Sequence, residues 1–173
     1  MGIVLVGGGA RSGKSRFALE YAEKHSRRPA FVATGEARDE EMRERIARHQ
    51  RERAAHWTTI EEPLDLACVV EREAAQFDLV LVDCLTLWLS NVLLDPERDA
   101  RAQLRGLAEC LECWRGPALL LITNEVGLGI VPESPLAREF RDLSGEMNQA
   151  VARVADEVYW MVFGVPLMVK GSS

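Results

Sequence analysis

Ile3-Val4-Leu5-Val6-Gly7-Gly8-Gly9-Ala10-Arg11-Ser12-Gly13-Lys14-Ser15 opens the chain and decides its fold. Four apolar, mostly β-branched residues read as a short strand. The glycines read as a turn, and Arg16-Phe17-Ala18-Leu19-Glu20-Tyr21-Ala22 as a helix. Gly8 to Ser15 fits G-x-x-x-x-G-K-[ST], the phosphate-binding loop, between the strand and the helix that the motif requires. Such a loop lets the backbone N–H groups of Gly8, Gly9, Ala10, Arg11, Ser12 and Gly13 close around phosphate oxygens, and the helix N-terminus adds partial positive charge. Lys14 is expected to reach the β- and γ-phosphates as a catalytic group, and the Ser15 hydroxyl to ligate Mg²⁺. The stretch predicts a nucleoside triphosphate binder.

The 173 residues suit a single domain over 1–173, long enough to bury roughly 70% of its unfolded surface. Apolar residues at 47% and charged residues at 28% are ordinary globular values. A net charge of −6 argues against general nucleic-acid affinity, which calls for a basic stripe. Cys68, Cys84, Cys110 and Cys113 show neither zinc nor disulfide spacing. Cys110-x-x-Cys113 falls in a helical segment with no second pair, so buried free thiols are expected. The chain enters a strand at once, without a signal-peptide pattern, and no apolar run reaches membrane-spanning length. The expected setting is cytoplasmic and reducing.

Outward from the loop, Ala30 to Ala33 reads as a second strand ended by Thr34-Gly35. Ligands of an open α/β sheet sit beyond the carboxyl ends of its strands, which brings this corner near the phosphate loop. Asp39 is a plausible N-cap for a charged helix to about Arg53, where Met42, Ile46, His49 and Arg53 share one face. Trp57 to Ile60 is a short extra strand and Leu64 to Gln76 a helix. Leu79 to Asp83 is a continuous apolar run of the kind found in central parallel strands. Its terminal Asp83 stands where a second magnesium anchor belongs. Leu85 to Leu94 and Arg98 to Trp114 are helices, and Ala118 to Thr123 is a buried strand. Asn124 to Pro132 is a glycine-rich loop, Leu136 to Ala155 a helix, and Glu157 to Phe163 the last strand. The alternation predicts an α/β, single-domain phosphate-loop (P-loop) NTPase-like fold, a mostly parallel sheet with helices on both faces.

A GTPase switch would need N-K-x-D after a late strand, and Asn124 is followed by Glu125 instead. A motor ATPase couples hydrolysis to partner domains for which this length leaves little room. A small-molecule kinase needs only the loop, magnesium and an acceptor pocket, and fits best on residues alone. The helix at 39–53 is surplus to it. That helix carries an inward-facing His49 beside Arg48, Gln50, Arg51 and Arg53. Neutral imidazole, with an ordinary pKa of about 6.5, is a good nucleophile at phosphorus. Neighbouring arginines could hold a triphosphate and balance the charge of departing pyrophosphate. Equally, His49 could be a core-facing residue of a salt-bridged helix. His25 and His56 sit at element ends with no comparable cluster.

Several blocks resemble the bifunctional adenosylcobinamide kinase / adenosylcobinamide-phosphate guanylyltransferase family of cobalamin biosynthesis. They are Gly7 to Arg16, Arg48-His49-Gln50-x-x-Arg53, and Asp83-Cys84-Leu85-Thr86-Leu87-Trp88-Leu89. Asn124-Glu125-Val126-Gly127-x-Gly129-Ile130-Val131-Pro132 follows, then Phe140-Arg141-Asp142 through Asn148-Gln149. They run nearly end to end in the family's order. The resemblance implies phosphorylation of adenosylcobinamide by ATP or GTP, then transfer of GMP from GTP to adenosylcobinamide phosphate through a guanylyl-histidine. His49 matches that histidine. By similarity Ala33, Thr34, Gly35, Gln50, Arg51, Glu52, Arg53, Glu61 and Asp83 complete the nucleotide site around Gly8 to Ser15. Ser15 and Asp83 would hold Mg²⁺. The family often has proline after the arginine at position 53, where this chain has Ala54. The resemblance also implies a corrinoid substrate and a homotrimer with active sites between subunits. A monofunctional phosphate-loop kinase is the alternative.

Overall fold

A computed structural model describes residues 2–36, 40, 43–44, 54 and 56–171. Uninterrupted aliphatic runs form the middle of the sheet, because strands covered on both faces have no side that favours polar residues. These are β1 (Ile3–Gly8), β2 (Pro29–Ala33), β4 (Leu79–Asp83) and β5 (Ala118–Ile122). β3 (Thr58–Glu61) is more polar and lies at one edge. Among the described residues seven strands run in the order β3-β2-β4-β5-β1-β6-β7, where β6 is Glu157–Val162 and β7 is Val165–Lys170. All neighbours are parallel except β6 and β7.

Alternating side chains divide the core in two. Leu5, Val32, Val80, Val82, Leu119 and Leu121 face the larger layer. There they meet α2 (Leu66–Glu73), α3 (Leu85–Leu94), α4 (Ala100–Glu112) and α5 (Pro135–Val154). Val4, Val6, Phe31, Leu81, Leu120 and Ile122 face the smaller layer, closed by Ala18 and Ala22 of α1 (Lys14–His25). Helices therefore cover both faces, as the sequence predicts.

Local chemistry sets the boundaries. The Asp99 carboxylate accepts from the N–H groups of Arg101 (2.9 Å) and Ala102 (3.1 Å). This cap starts α4 at Ala100 rather than at the expected Arg98. The expected helix 64–76 resolves into α2 and a 3₁₀ turn over Ala74–Gln76. Ser134 caps α5, with Pro135 in its first turn.

The strand ending at Phe163 is not the last. Phe163 (φ 51°) and Gly164 (φ 85°) form a tight turn that returns the chain as antiparallel β7. Phenylalanine is a rare choice for a left-handed turn position, and Pro166 discourages a strand assignment, so sequence signals hide this hairpin. An edge strand accommodates the proline. The cysteines also need correction: Cys84 and Cys110 are buried, but Cys68 and Cys113 are exposed, and none is bridged. Burial, with Glu71 alongside, pushes the Cys110 thiol up to about 12. Among the described residues no helix is long and apolar enough to cross a membrane.

Candidate functional site

Strand register assembles the site at the carboxyl edge. Glu61 pairs with Ala33, Ala33 with Asp83, Asp83 with Ile122, and Ile122 with Val6. Four strands thus end at one level, which β1 passes by two residues to Gly8, with Glu61 two strand spacings, about 10 Å, from Asp83. Of Ala33, Thr34, Gly35 and Asp83, all expected near the phosphate loop, Asp83 is brought there by its 2.8 Å hydrogen bond with Ser15, and the register sets Ala33 beside Asp83.

Gly8 leaves β1 at φ 150°, where a Cβ would lie 2.9 Å from the Ser12 hydroxyl and 3.0 Å from the Met161 carbonyl. Gly13, at φ 94°, sits directly before α1, and a Cβ there would approach Gly164 to 3.3 Å. Glycine is required at both positions. Lys14 is buried, at 7% exposure, and its ammonium donates to the carbonyls of Gly9 (2.6 Å) and Gly8 (3.1 Å) and to Ser12 Oγ (3.4 Å). The loop folds around its own lysine. That concentrates positive charge and backbone N–H groups at the start of α1, an arrangement suited to phosphate oxygens.

Ser15 Oγ donates to Asp83 Oδ2 across 2.8 Å. The two oxygens expected to hold magnesium, from positions 68 apart in sequence, are thus neighbours. Hard oxygen donors suit Mg²⁺, which usually takes one or two carboxylates and completes its shell with water and substrate phosphate. Among the described residues no group of three or more His, Cys, Asp or Glu could hold a metal ion.

Thr34 is fully buried, and its hydroxyl both donates to the Cys84 carbonyl (2.8 Å) and accepts from the Cys84 N–H (2.8 Å). Asn91 donates to the carbonyls of Thr34 (2.7 Å) and Pro63 (3.2 Å). These bonds fix the chain immediately after Asp83. Glu61 is exposed at the end of β3. The Asn124–Pro132 loop leaves β5 beside the phosphate loop, with the Glu125 N–H bonded to the Gly8 carbonyl (3.1 Å).

His49, Gln50, Arg51, Glu52 and Arg53 lie outside the described residues. Of the helix expected over 39–53, Glu40, Arg43 and Glu44 are described, and they are helical. His25 Nδ1 lies 2.7 Å from the Tyr21 carbonyl, and His56 Nε2 lies 3.2 Å from Glu23. Both have local structural partners. Sequence reasoning assigned no role to Asn91, Thr86, Thr123 or Asn148, all of which support this edge. For Asn91, Thr86 and Thr123 the signal was a polar residue inside or at the end of an otherwise apolar segment, whereas Asn148 lies in a largely polar helix and gave none. Away from the site, Tyr21 and Tyr159 both donate to Glu157 Oε2. Burial, reinforced by that carboxylate, raises both phenols, Tyr159 to about 12.

The model of the family described as cobinamide kinase / cobinamide phosphate guanyltransferase matches residues 4–169. The bifunctional adenosylcobalamin biosynthesis protein CobP of Pseudomonas aeruginosa is 45% identical over 169 residues, 96% of either chain. CobU of Salmonella typhimurium, with the same description, is 40% identical across 97% of this chain and 99% of its own. CobU of Escherichia coli is 38% identical with the same coverage. Among solved structures, an ATPase domain matches with a TM-score of 0.52 at 12% identity, covering 92% of this chain and 68% of that one. An ATPase of a bacterial type III secretion system matches at 0.58 and 11%, covering 93% and 51%. At such identities the likeness speaks for the phosphate-loop NTPase fold alone.

Proposed function

Because the chain belongs to the cobinamide kinase / cobinamide phosphate guanyltransferase family, bifunctional enzymes of cobalamin biosynthesis, we propose that it phosphorylates adenosylcobinamide and then guanylylates the product. The observation that carries the first half is the pairing of the Lys14-centred loop with the Ser15–Asp83 contact at one sheet edge. A phosphoryl-transfer site needs little more than such positioning and charge.

In the first reaction the substrate hydroxyl oxygen attacks the γ-phosphorus of ATP or GTP, releasing its proton to water. The bond from that phosphorus to the bridging oxygen breaks, and the nucleoside diphosphate leaves. Loop N–H groups hold the phosphates, and the Lys14 ammonium balances the negative charge that builds on them. Ser15 and Asp83 are the residues to hold Mg²⁺, which when bound supplies further neutralisation of the phosphates.

In the second reaction a ring nitrogen of His49 attacks the α-phosphorus of GTP and pyrophosphate departs. GMP stays on the imidazole as a phosphoramidate until a phosphate oxygen of adenosylcobinamide phosphate displaces it, giving adenosylcobinamide-GDP. Arg48, Arg51 and Arg53 neutralise the triphosphate, with Gln50, Glu52 and Glu61 completing the nucleotide contacts. Support for this half comes from the Arg48-His49-Gln50-x-x-Arg53 block and from family membership. The same resemblance supports a cytoplasmic homotrimer. Exposed Val165, Leu167 and Val169 along β7 add an apolar edge of the kind oligomers cover.

The test is a product assay with adenosylcobinamide, ATP, GTP and magnesium. Wild type yields the phosphate and then the GDP derivative, whereas His49→Ala stops at the phosphate. Wild type that itself stops at the phosphate is a monofunctional kinase. GDP derivative from His49→Ala removes the histidine from the mechanism.

A further inference from the structure

Behind the carboxyl edge, three side chains from separate elements converge on the main chain of one residue, Asn124. Thr86 lies in the first turn of α3, Thr123 directly follows β5, and Asn148 lies in α5. Thr86 and Thr123 are buried, at 7% and 2% exposure. Thr123 Oγ donates to Asn148 Oδ1 (2.7 Å), and Asn148 Nδ2 donates to the Asn124 carbonyl (3.2 Å). The Asn124 N–H in turn donates to Thr86 Oγ (2.7 Å), and Thr86 Oγ lies 3.3 Å from Thr123 Oγ.

Proton counting fixes the direction of that last contact. A threonine hydroxyl has one proton, and Thr123 has given its own to Asn148. Thr86 must therefore donate to Thr123. The bonds run one way round: Thr86 to Thr123, Thr123 to Asn148, Asn148 to the Asn124 carbonyl, and the Asn124 N–H back to Thr86. Each side chain gives and accepts in the same sense, so the bonds from the Asn124 N–H through Thr86, Thr123 and Asn148 to the Asn124 carbonyl polarise their neighbours along that run.

The ring has a definite address. The main chain it grips continues the β5–β1 ladder past the strand end, Thr123 N–H to the Val6 carbonyl (3.0 Å) and Glu125 N–H to the Gly8 carbonyl (3.1 Å). Gly8 is the first residue of the phosphate loop, and its carbonyl also accepts from Lys14. Asn124 and Glu125 are thereby set against the loop mouth, with Thr86 three residues beyond Asp83.

We propose that Asn148 is a positioning residue for phosphoryl transfer, closing a one-way hydrogen-bond ring with Thr86 and Thr123 that holds the Asn124–Glu125 backbone against the phosphate loop. The role rests on the kinase reading above. Asn148 suits the task because an amide accepts at one end and donates at the other. A carboxylate accepts only, and an aliphatic side chain does neither.

The experiment compares Asn148→Leu, Thr123→Val and their double variant with wild type in the adenosylcobinamide kinase assay. Each single change lowers kcat on the order of 10- to 100-fold, as misplacement of a reacting geometry does. The KM for the triphosphate stays within about threefold of wild type, marking lost alignment rather than lost binding. The double variant is no slower than the worse single one, because a ring broken once is already open. Thr86→Ser, which keeps the hydroxyl, is faster than Thr86→Val by on the order of tenfold. Hydrogen exchange gives a readout independent of turnover: in folded Asn148→Leu, the Asn124 and Glu125 amides exchange at least about tenfold faster. Variants that match wild-type kcat, multiply their losses, or leave amide exchange unchanged would overturn the proposal. If wild type itself transfers no phosphoryl group to adenosylcobinamide, the kinase reading falls and the positioning role with it. If wild type is active and the variants equal it, the positioning role alone falls.

Discussion

The sheet face under α2–α5 and the carboxyl edge above it are built from opposite materials. The face is aliphatic: Leu119, Leu121, Val80 and Val82 meet Trp88, Leu89, Leu143 and Met147, all 2% exposed or less. The edge is polar, and its elements are joined by hydrogen bonds, Ser15 to Asp83, Thr34 to Cys84, Asn148 to Asn124. Leu121 and Thr123 stand two residues apart on one chain, yet one belongs wholly to each material. Hydrophobic burial is strong but non-directional, and hydrogen bonds contribute less net energy but fix geometry. Stability should therefore reside in the face and chemistry in the edge.

Substitutions can break that division. The largest effect is expected for Lys14→Ala, which removes the charge at the centre of the loop. Turnover falls on the order of 100- to 1000-fold, while the melting temperature moves by no more than about 3 °C. A large drop in melting temperature would show that the lysine also carries the fold. Leu121→Ala does the reverse. It costs about 3 kcal/mol through lost burial and a cavity, so the melting temperature falls by roughly 6–12 °C. Turnover of the folded fraction, measured at low temperature, stays near wild type.

Thr34→Val sharpens the comparison, since Thr34 is buried like the face and hydrogen-bonded like the edge. Valine matches its shape but takes one partner each from the N–H and the carbonyl of Cys84, the carbonyl keeping the Trp88 N–H (3.1 Å), at a cost of about 1–3 kcal/mol. Denaturant titration should show that loss, and turnover should fall with it. The smallest effect is expected at Ser144, the one buried side chain among the described residues whose polar atom has no hydrogen-bond partner. Ser144→Ala removes a desolvated hydroxyl and raises helix propensity, stabilising by about 0.5–1 kcal/mol. A destabilised variant would reveal a partner for that hydroxyl.

Legibility followed the same division. Continuous aliphatic runs such as Leu79–Asp83 and Ala118–Ile122 announce buried parallel strands, and the phosphate-loop spacing announces Lys14 and Ser15. Asp83 was readable because a carboxylate ending such a strand has an established use. The hairpin into β7 was hidden by Phe163 and Pro166, whose tolerance depends on an exposed edge. The thiols of Cys68 and Cys113 were misplaced because a residue at the rim of a helix, like Cys68, or just past its end, like Cys113, takes its exposure from neighbours, not from type. Thr86, Thr123 and Asn148 were invisible as a group. Their meeting comes from packing α3 and α5 against β5, which no local pattern encodes. His49 was singled out by its basic neighbours and by the family resemblance, and it lies outside the described residues.

On the proposed function, one fold pairs a phosphoryl-transfer edge with His49 as the carrier of GMP. Intact-mass measurement of the protein after incubation with GTP and magnesium, without corrinoid, tests it most directly. Wild type is expected to gain the mass of one GMP, with the adduct lost in acid and retained in alkali, and His49→Ala is expected to gain nothing. An unmodified wild type, or equal modification of the variant, would contradict it.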